Sequence, residues 1–526
     1  MRHGNERSGG FIQHMRNETR RASSRDSPLH CILHTRALSK RLDVSSALVP
    51  HRLSAPTMVA YGIGQLGESL RTVGYTTFLL FYYNQVVGLS GTLTSLALGI
   101  SLIVDAISDP LVGAWSDRTR SRLGRRHPFM IASMLPLGLL FYATFNPPTM
   151  SASGYFVWLL LSATLTRFAV SLYHVPHLAL GAEIARDYSQ RTTLYAINTV
   201  FMFVAVYGAQ GLALRWFFPT TEQFNPGLLN AEAYRTFSIA FAITMVVAIG
   251  ISIIGTYREI RFLPVATRRF TFSLRRTVAD CVEVFRNPSF RALFFGMVLT
   301  MMTLAAESVL KPYMDLHFWG LTTEQMSWRP LAVIVGALVA LSIAPAINRR
   351  LDKKTVLIGA GAISVLAIHL TIALRVFTPS VLPPTGSLEM LEILLVQDVV
   401  MGLSSVLTYG AVYSMIADVS DEHQLEVGER REGVLFASRA FAQQVVQSVG
   451  IAGAGVLLDL IAFPTAAKAG TVDAATLLRL GLIPLCAAVV YVGGLCCYAR
   501  YRIHREHHAR IVSTLAQQRL EPSHPA

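Results

Sequence analysis

Twelve apolar stretches follow one another between Met58 and Ala499 of this 526-residue chain. Each is close to or above the ~20 residues with which a helix crosses ~30 Å of hydrocarbon. Their approximate limits are 58–86, 92–116, 128–146, 154–182, 193–217, 237–257, 290–317, 328–348, 355–377, 389–416, 433–462 and 476–499. Within lipid no water satisfies exposed backbone N–H and C=O groups, so such stretches fold as helices that bond their own backbone. Composition agrees. Hydrophobic residues make up 52% of the chain, charged residues only 15%, and the mean hydropathy is +0.44, whereas soluble domains carry about 25% charged residues. The expectation is an all-α, multi-pass membrane protein with the lipid bilayer as its partner.

The loops set the orientation. Arg118, Arg120, Arg122, Arg125 and Arg126 follow the second stretch, Arg186 and Arg191 the fourth, Arg349, Arg350, Lys353 and Lys354 the eighth, and Arg430 and Arg431 the tenth. Of the alternate loops, 87–91, 147–153 and 378–388 hold neither Lys nor Arg, while 218–236 has Arg235 and 463–475 has Lys468. Basic loops stay on the cytoplasmic side, so both termini are expected there. The formal charge of +14 sits in these loops and tails, and no nucleic-acid partner is expected. Cysteines placed at Thr149 and Thr385 are expected to react with an impermeant thiol reagent from outside intact cells, and cysteines at Arg122 and Arg275 to be protected. External labelling at 275 would contradict a topology of two six-helix halves.

The long basic loop 258–289 divides the spans into halves at 57–257 and 290–500. It interleaves Phe270, Phe272, Leu274, Val278, Val282, Val284 and Phe285 with basic residues, a pattern that suits a helix lying on the membrane surface. Residues 1–56 are rich in Arg, His and Ser, lack the apolar core of a signal peptide, and read as a disordered basic cytoplasmic tail. Residues 501–526 read as a second cytoplasmic tail. A weak internal repeat supports the division: Asp117-Arg118 with Arg125-Arg126 follows span 2, and Asn348-Arg349-Arg350-Leu351-Asp352-Lys353-Lys354 follows span 8. Twelve transmembrane helices in two six-helix halves around a central path constitute the major facilitator fold.

Two aspartates interrupt the second stretch, Asp105 and Asp109. A carboxylate inside hydrocarbon costs roughly 2.5–3.5 kcal/mol on insertion scales, so a pair one helical turn apart needs a reason. Spaced i,i+4, they stack on one helix face. There they can coordinate Na⁺ or share a proton, because two like charges a few ångström apart do not both ionise cheaply. The other reading is a pair of interfacial acids near the helix end, solvated or bonded to loop arginines, which suits Asp109, eight residues before Asp117, better than Asp105. Further ionisable groups lie in other spans. Glu68 and Arg71 are i,i+3 and Glu307 and Lys311 are i,i+4, both spacings that permit pairing. Arg167 and His174 are seven apart and share a face. These are candidate cavity-lining, substrate-binding residues, the other reading being structural pairs and a structurally satisfied histidine. The aromatic residues Tyr75, Phe78, Phe81, Tyr82 and Tyr83 of span 1 read as packing. The five cysteines show no metal-ligand spacing, and no nucleotide-binding or hydrolase motif is present. No metal site beyond Na⁺ at Asp105 and Asp109, no cofactor and no enzymatic activity are expected, so the energy source would be an ion gradient.

The segment Gly113-Ala-Trp-Ser-Asp117-Arg118-Thr-Arg120-Ser-Arg122-Leu-Gly124-Arg125-Arg126-His-Pro128-Phe129, with Asp105-Ala-Ile-Ser-Asp109-Pro110 before it, resembles the glycoside–pentoside–hexuronide:cation symporter family. Tyr61-Gly-Ile-Gly64-Gln-Leu-Gly67, Pro176 through Arg191, and Ala417-Asp418-Val-Ser-Asp421-Glu422 through Gly433 agree, and the likeness extends from about 60 to 500. It implies a cation-coupled symporter of the bacterial inner membrane, working as a monomer on a sugar or glycoside. The family's span 2 cation ligands fall on Asp105 and Asp109, and its span 4 polar ligand on Ser171. Its two sugar-gripping acids fall on Ser69 and His174, its tryptophan on Leu178 and its span 11 lysine on Gln444, so the cation chemistry is retained and the galactoside chemistry is not. That loss keeps two alternatives open, an amphipathic solute such as a lysolipid and a non-transporting membrane sensor. Asp117, Arg118, Arg125 and Arg126 are expected to close the cytoplasmic side against Glu183, Asp187, Arg191, Asp418, Asp421, Arg430 and Arg431.

Overall fold

The computed structural model describes residues 53–185, 188–262, 285–427 and 432–520. Long helices occupy all twelve expected positions. The first half contains α1 (Ala55–Val73, continuing through π turns at Gly74–Phe78 and Tyr82–Val86), α2 (Gly91–Arg118), α3 (His127–Thr144), α4 (Ala152–Ile184), α5 (Tyr188–Phe203, with a π turn at Val204–Gly208 and Ala209–Trp216) and α6 (Ala231–Thr256). The second half contains α7 (Pro288–Tyr313, with a π turn at Met314–Phe318), α8 (Arg329–Arg350), α9 (Lys353–Phe377), α10 (Leu388–Val427), α11 (Glu432–Leu460) and α12 (Ala474–Ala499). Ten helices among the described residues are long and apolar enough to cross a membrane. On α2, Ile103, Ile107 and Leu111 recur every fourth residue and stand exposed at 46%, 56% and 63%. A stripe of this kind is stable only against lipid.

Local sequence explains where the helices start. Ser54 accepts a hydrogen bond from the Thr57 N–H, with Pro56 in the first turn, so α1 begins at Ala55, inside the stretch read as tail. Such caps satisfy one of the four orphan N–H groups of a helix start. Ser90, Ser151, Asn230, Asn287 and Asp473 cap α2, α4, α6, α7 and α12 in the same way. The second tail is structured: Arg505–Leu520 forms α13, which packs against α10. Most of the basic loop 258–289, including the apolar positions from Phe270 to Val284, and residues 1–52 lie outside the described residues.

The two halves repeat one packing scheme. In the first, α1 packs on α5 and α6, α4 on α2 and α3, and α3 on α6; six helices later, α7 packs on α11 and α12, α10 on α8 and α9, and α9 on α12. The halves meet where α2 lies along α11 and, equivalently, where α5 lies along α8. Small residues make the first seam close. A Cβ on Gly91 would stand 2.6 Å from the Gly455 carbonyl oxygen, and one on Gly455 would stand 2.1 Å from that of Gly91. Such small-residue approaches replace the hydrophobic drive that helices lack inside lipid. Asp459 on α11 then accepts from the Gly91 and Thr92 N–H groups at 2.9 and 2.8 Å, capping α2 from the opposite half. At the same arginine-poor end, the Tyr313 hydroxyl donates to Asn84 (3.0 Å) and the Thr220 hydroxyl to Glu324 (2.9 Å). The Gln85 amide donates to the Pro464 carbonyl at 3.0 Å. That end is stitched across the halves.

The span 1 aromatics pack as expected. Phe78, Phe81, Tyr82 and Tyr83 are buried in the core that α1, α3 and α6 share, with Phe78 and Phe237 ring centres 5.0 Å apart.

Candidate functional site

Half-way along α2 the two aspartates take different partners. Asp105 is buried and ion-paired with Arg167 of α4 at 3.3 Å, and it accepts from the Ser171 hydroxyl at 3.1 Å. Arg167 Nε donates to Ser101 at 2.9 Å, and Ser108 lies 3.1 Å from Ser171. Asp109, half-buried, instead accepts from the Gln444 amide of α11 at 3.0 Å, across the seam between the halves. The interfacial reading of Asp109 allowed for solvent or loop arginines around it; among the described residues it is half-buried and bonds Gln444. Pro110 follows directly. Having no N–H, it leaves the carbonyl one turn back, that of Ala106, without its helical donor. Two carboxylates and two hydroxyls, of Asp105, Asp109, Ser108 and Ser171, lie together, the hard-oxygen chemistry that suits Na⁺. Asp105 already has a cation beside it. Among the described residues the hydrogen-bond donors to Asp109 are neutral, Gln444 and Ser171, with the His174 imidazole close enough to act on its charge.

A second polar group lies on α1. Glu68 accepts from Arg71 (3.1 Å), Thr72 (2.7 Å) and Gln65 (3.2 Å), so the expected Glu68–Arg71 pair is formed. The guanidiniums of Arg71 and Arg167 lie 5.9 and 5.5 Å from the centre of the Tyr75 ring. One aromatic face thus joins the α1 pair to the Asp105 pair, in the geometry of cation–π attraction. His174 is half-buried on α4. Ser69 is fully buried and its hydroxyl has no hydrogen-bond partner.

The second half departs from expectation. Glu307 and Lys311 do not pair. Glu307 holds His369 of α9 at 3.0 Å, and Lys311 lies 3.7 Å from Asp315 and 3.6 Å from Asp398. Lys311 takes the i,i+4 acid on its other side, Asp315, together with Asp398 of α10, because a buried acid left without a cation is costly. Arg329 completes the group, bonding Asp398 at 2.6 and 3.1 Å and also bonding Asp315. Asp315, Arg329, Asp398 and His369 were not singled out in the sequence. The available signal was an acid inside an apolar stretch, which Asp398 supplies as plainly as Asp105 does.

At the arginine-rich end each half closes on itself. Glu183 binds Arg125 at 2.9 Å and Arg126 at 2.8 Å, and Arg126 also binds Asp117 and, at 2.5 Å, the Ser116 hydroxyl. Asp418 is held by Lys353 at 2.7 Å and His508 at 3.4 Å, and Asp421 bonds His508 at 3.2 Å. Burial beside Asp418 and Glu422 pushes the Tyr501 hydroxyl well above the usual tyrosine range. Pairing of Asp418 with first-half arginines was expected; its partners are instead in the second half, which lie nearer and need no closure. Arg191 donates to the Ala182 carbonyl at the end of α4, at 3.1 Å, and so serves as a helix C-cap. Arg118 is exposed. Asp187, Arg430 and Arg431 lie outside the described residues.

Comparison with known proteins accords with this architecture. A symporter of Synechocystis sp., itself uncharacterized, is 26% identical over 558 residues, covering 91% of this chain and 100% of that one. The isoprimeverose transporter of Lactiplantibacillus pentosus is 22% identical over 76% of this chain and 79% of its own. A sodium-dependent lysophosphatidylcholine symporter of Gallus gallus is 31% identical over 160 residues, 30% of this chain and 29% of its own. Among solved structures, a peptide transporter superposes with a TM-score of 0.61 at 12% identity, covering 87% of this chain and 97% of that one. The nucleoside transporter NupG superposes with a TM-score of 0.56 at 13% identity, covering 85% and 100%. These low identities speak for the major facilitator fold alone. The relatives by sequence are membrane transporters and not enzymes. With residues 60–505 matching that family from the first helix to beyond the last, the chain belongs to the MFS/sugar transport protein family, a group of secondary transporters.

Proposed function

We propose that this protein is a cation-coupled symporter of the glycoside–pentoside–hexuronide type, importing a small polar organic solute of the sugar or glycoside class through a bacterial inner membrane. Both termini face the cytoplasm in this reading. The observation that carries it is the unequal pair on α2. Asp105 is neutralised by Arg167, while among the described residues Asp109 has no lysine or arginine partner and is bonded to Gln444 across the seam on which the halves rock. Na⁺ or H⁺ arriving at Asp109 supplies the missing positive charge, with Ser171 and Asp105 completing the oxygen set. Loading and unloading that charge changes the balance at the contact between halves, which links the ion to alternating access.

Glu68, Arg71, Arg167 and His174 form the first-half side of the solute path, and Glu307 and Lys311 the second-half side. Ser69, buried and without a partner, reaches the solute only after α1 shifts. The family's acids are missing at Ser69 and His174, so solute hydroxyls are gripped by Glu68 and the two arginines. The isoprimeverose transporter among the relatives supports the sugar class, and the relative named as sodium-dependent supports Na⁺. The Asp117, Arg125, Arg126 and Glu183 cluster, with Asp418 and Asp421 opposite, forms the cytoplasmic gate.

The test is uptake into proteoliposomes. Labelled glycosides and labelled lysophosphatidylcholine are offered under an imposed Na⁺ gradient, and separately under a pH gradient. Gradient-dependent accumulation of a glycoside is expected. Accumulation of the lysolipid alone would replace the solute class, and no ion-dependent flux of either would overturn symport.

A further inference from the structure

The arginine-rich end of the second half contains a cavity of about 320 Å³ that the coupling network does not use. It lies where the α8–α9 turn, the middle of α10 and the start of α13 come together. Three permanent cations line it, Lys353, Lys354 and Arg505, against two acids, Asp352 and Asp418. Only one of these cations is spoken for by an acid: Lys353 grips both Asp418 oxygens at 2.7 and 2.8 Å. Lys354 donates to the Tyr501 carbonyl at 3.0 Å, and Arg505 to the carbonyls of Asn348 and Arg349 at 2.7 and 3.0 Å. Carbonyls orient a cation but do not neutralise it. Asp352 forms no side-chain cap at the α9 N-terminus, so it offsets one of the two remaining charges and the walls keep a surplus of one. His504 and His508 also line the space.

The cavity has an apolar side as well. Gly410 of α10 borders it, and a Cβ built there meets nothing within 4 Å. A slot is therefore open beside a membrane-spanning helix, next to a ring of cationic donors. Arginine and lysine donors around a positive cavity suit a phosphate oxygen cluster, and the surplus charge matches a singly charged phosphate.

We propose that this cavity binds a phosphate group, and that its occupant ties α13 to α8, α9 and α10. The same chemistry is offered by an inner-leaflet lipid headgroup, whose glycerol would fill the slot at Gly410, and by free phosphate.

Thermal unfolding of the full-length protein in an uncharged detergent tests this without any transport substrate. One arm adds inorganic phosphate against chloride at equal ionic strength. The other adds dioleoylphosphatidic acid against dioleoylglycerol, which differ by the phosphate. A saturable rise in midpoint is expected, because a ligand of the folded state alone stabilises it. A rise with phosphatidic acid identifies a lipid headgroup, and a rise with inorganic phosphate identifies the free ion. Lys354→Gln removes a charge-assisted donor and should weaken the apparent Kd by about tenfold or more. Gly410→Leu keeps every charge and fills the slot, so it should weaken the binding of phosphatidic acid and leave that of inorganic phosphate unchanged. The proposal is overturned if neither probe moves the midpoint, or if Lys354→Gln binds as the parent does. Should that variant not yield folded protein, Arg505→Gln takes its place, and parent-like binding by it overturns the proposal instead.

Discussion

Asp109→Asn is expected to abolish accumulation against a gradient while leaving downhill exchange of solute intact. One positive charge entering across 100 mV gains about 2.3 kcal/mol, enough to sustain a solute gradient of roughly 50-fold. Without a carboxylate to carry the ion, the accumulation ratio should fall to about 1. The asparagine still bonds to Gln444, which holds Asp109 at 3.0 Å, because an amide oxygen accepts from an amide N–H as a carboxylate does. The seam between α2 and α11 therefore persists, and the loss would be one of coupling and not of folding. Proteoliposomes report both quantities: uphill uptake under an imposed ion gradient, and exchange at zero gradient. Parent-level accumulation by Asp109→Asn, with unchanged dependence on Na⁺ and pH, would remove Asp109 from the coupling centre.

The helices were legible because each rests on a local property. An apolar run of sufficient length must be helical in lipid, and Ser, Asn and Asp caps mark where six of the twelve begin. The two-half scheme was legible in the charged loops and was then found as a packing repeat displaced by six helices. What a single helix determines was also visible, as in Glu68–Arg71, three residues apart. The site itself depends on contacts that no window of sequence contains. Arg167 reaches Asp105 across 62 positions, and Gln444 reaches Asp109 across 335. From sequence the two aspartates stand on the same footing, with Asp105 the deeper and so the stronger candidate for the ion. In the proposed reading the packing of α2 between α4 and α11 reverses that order, since among the described side chains α4 brings a guanidinium and α11 an amide. Glu307 and Lys311 show the same limit, since the i,i+4 rule offers Lys311 both Glu307 and Asp315 and cannot see His369 or Asp398 arriving from other helices.

The Asp105–Arg167 pair carries the second large effect. Both side chains are at most 10% exposed, so neither charge has water to fall back on. Removing one member of a buried pair typically costs about 3–5 kcal/mol, because the other charge stays behind uncompensated. Asp105→Asn strands Arg167, and Arg167→Gln strands Asp105 beside Asp109, leaving two carboxylates with no cation between them. Each single variant should unfold at markedly lower temperature in detergent and reach the membrane in smaller amount. The double variant Asp105→Asn, Arg167→Gln leaves neither charge. Its two amides can still bond to one another, to Ser101 and to Ser171, and it should recover most of the lost stability, giving a coupling of about 2 kcal/mol or more between the sites. If the two losses simply add, the pair is not an energetic unit and the neutralisation of Asp105 fails as an explanation for the asymmetry of the site. If the double variant is stable and still accumulates solute through Asp109, the two acids have separate tasks: Asp105 holds α2 to α4, and Asp109 carries the ion.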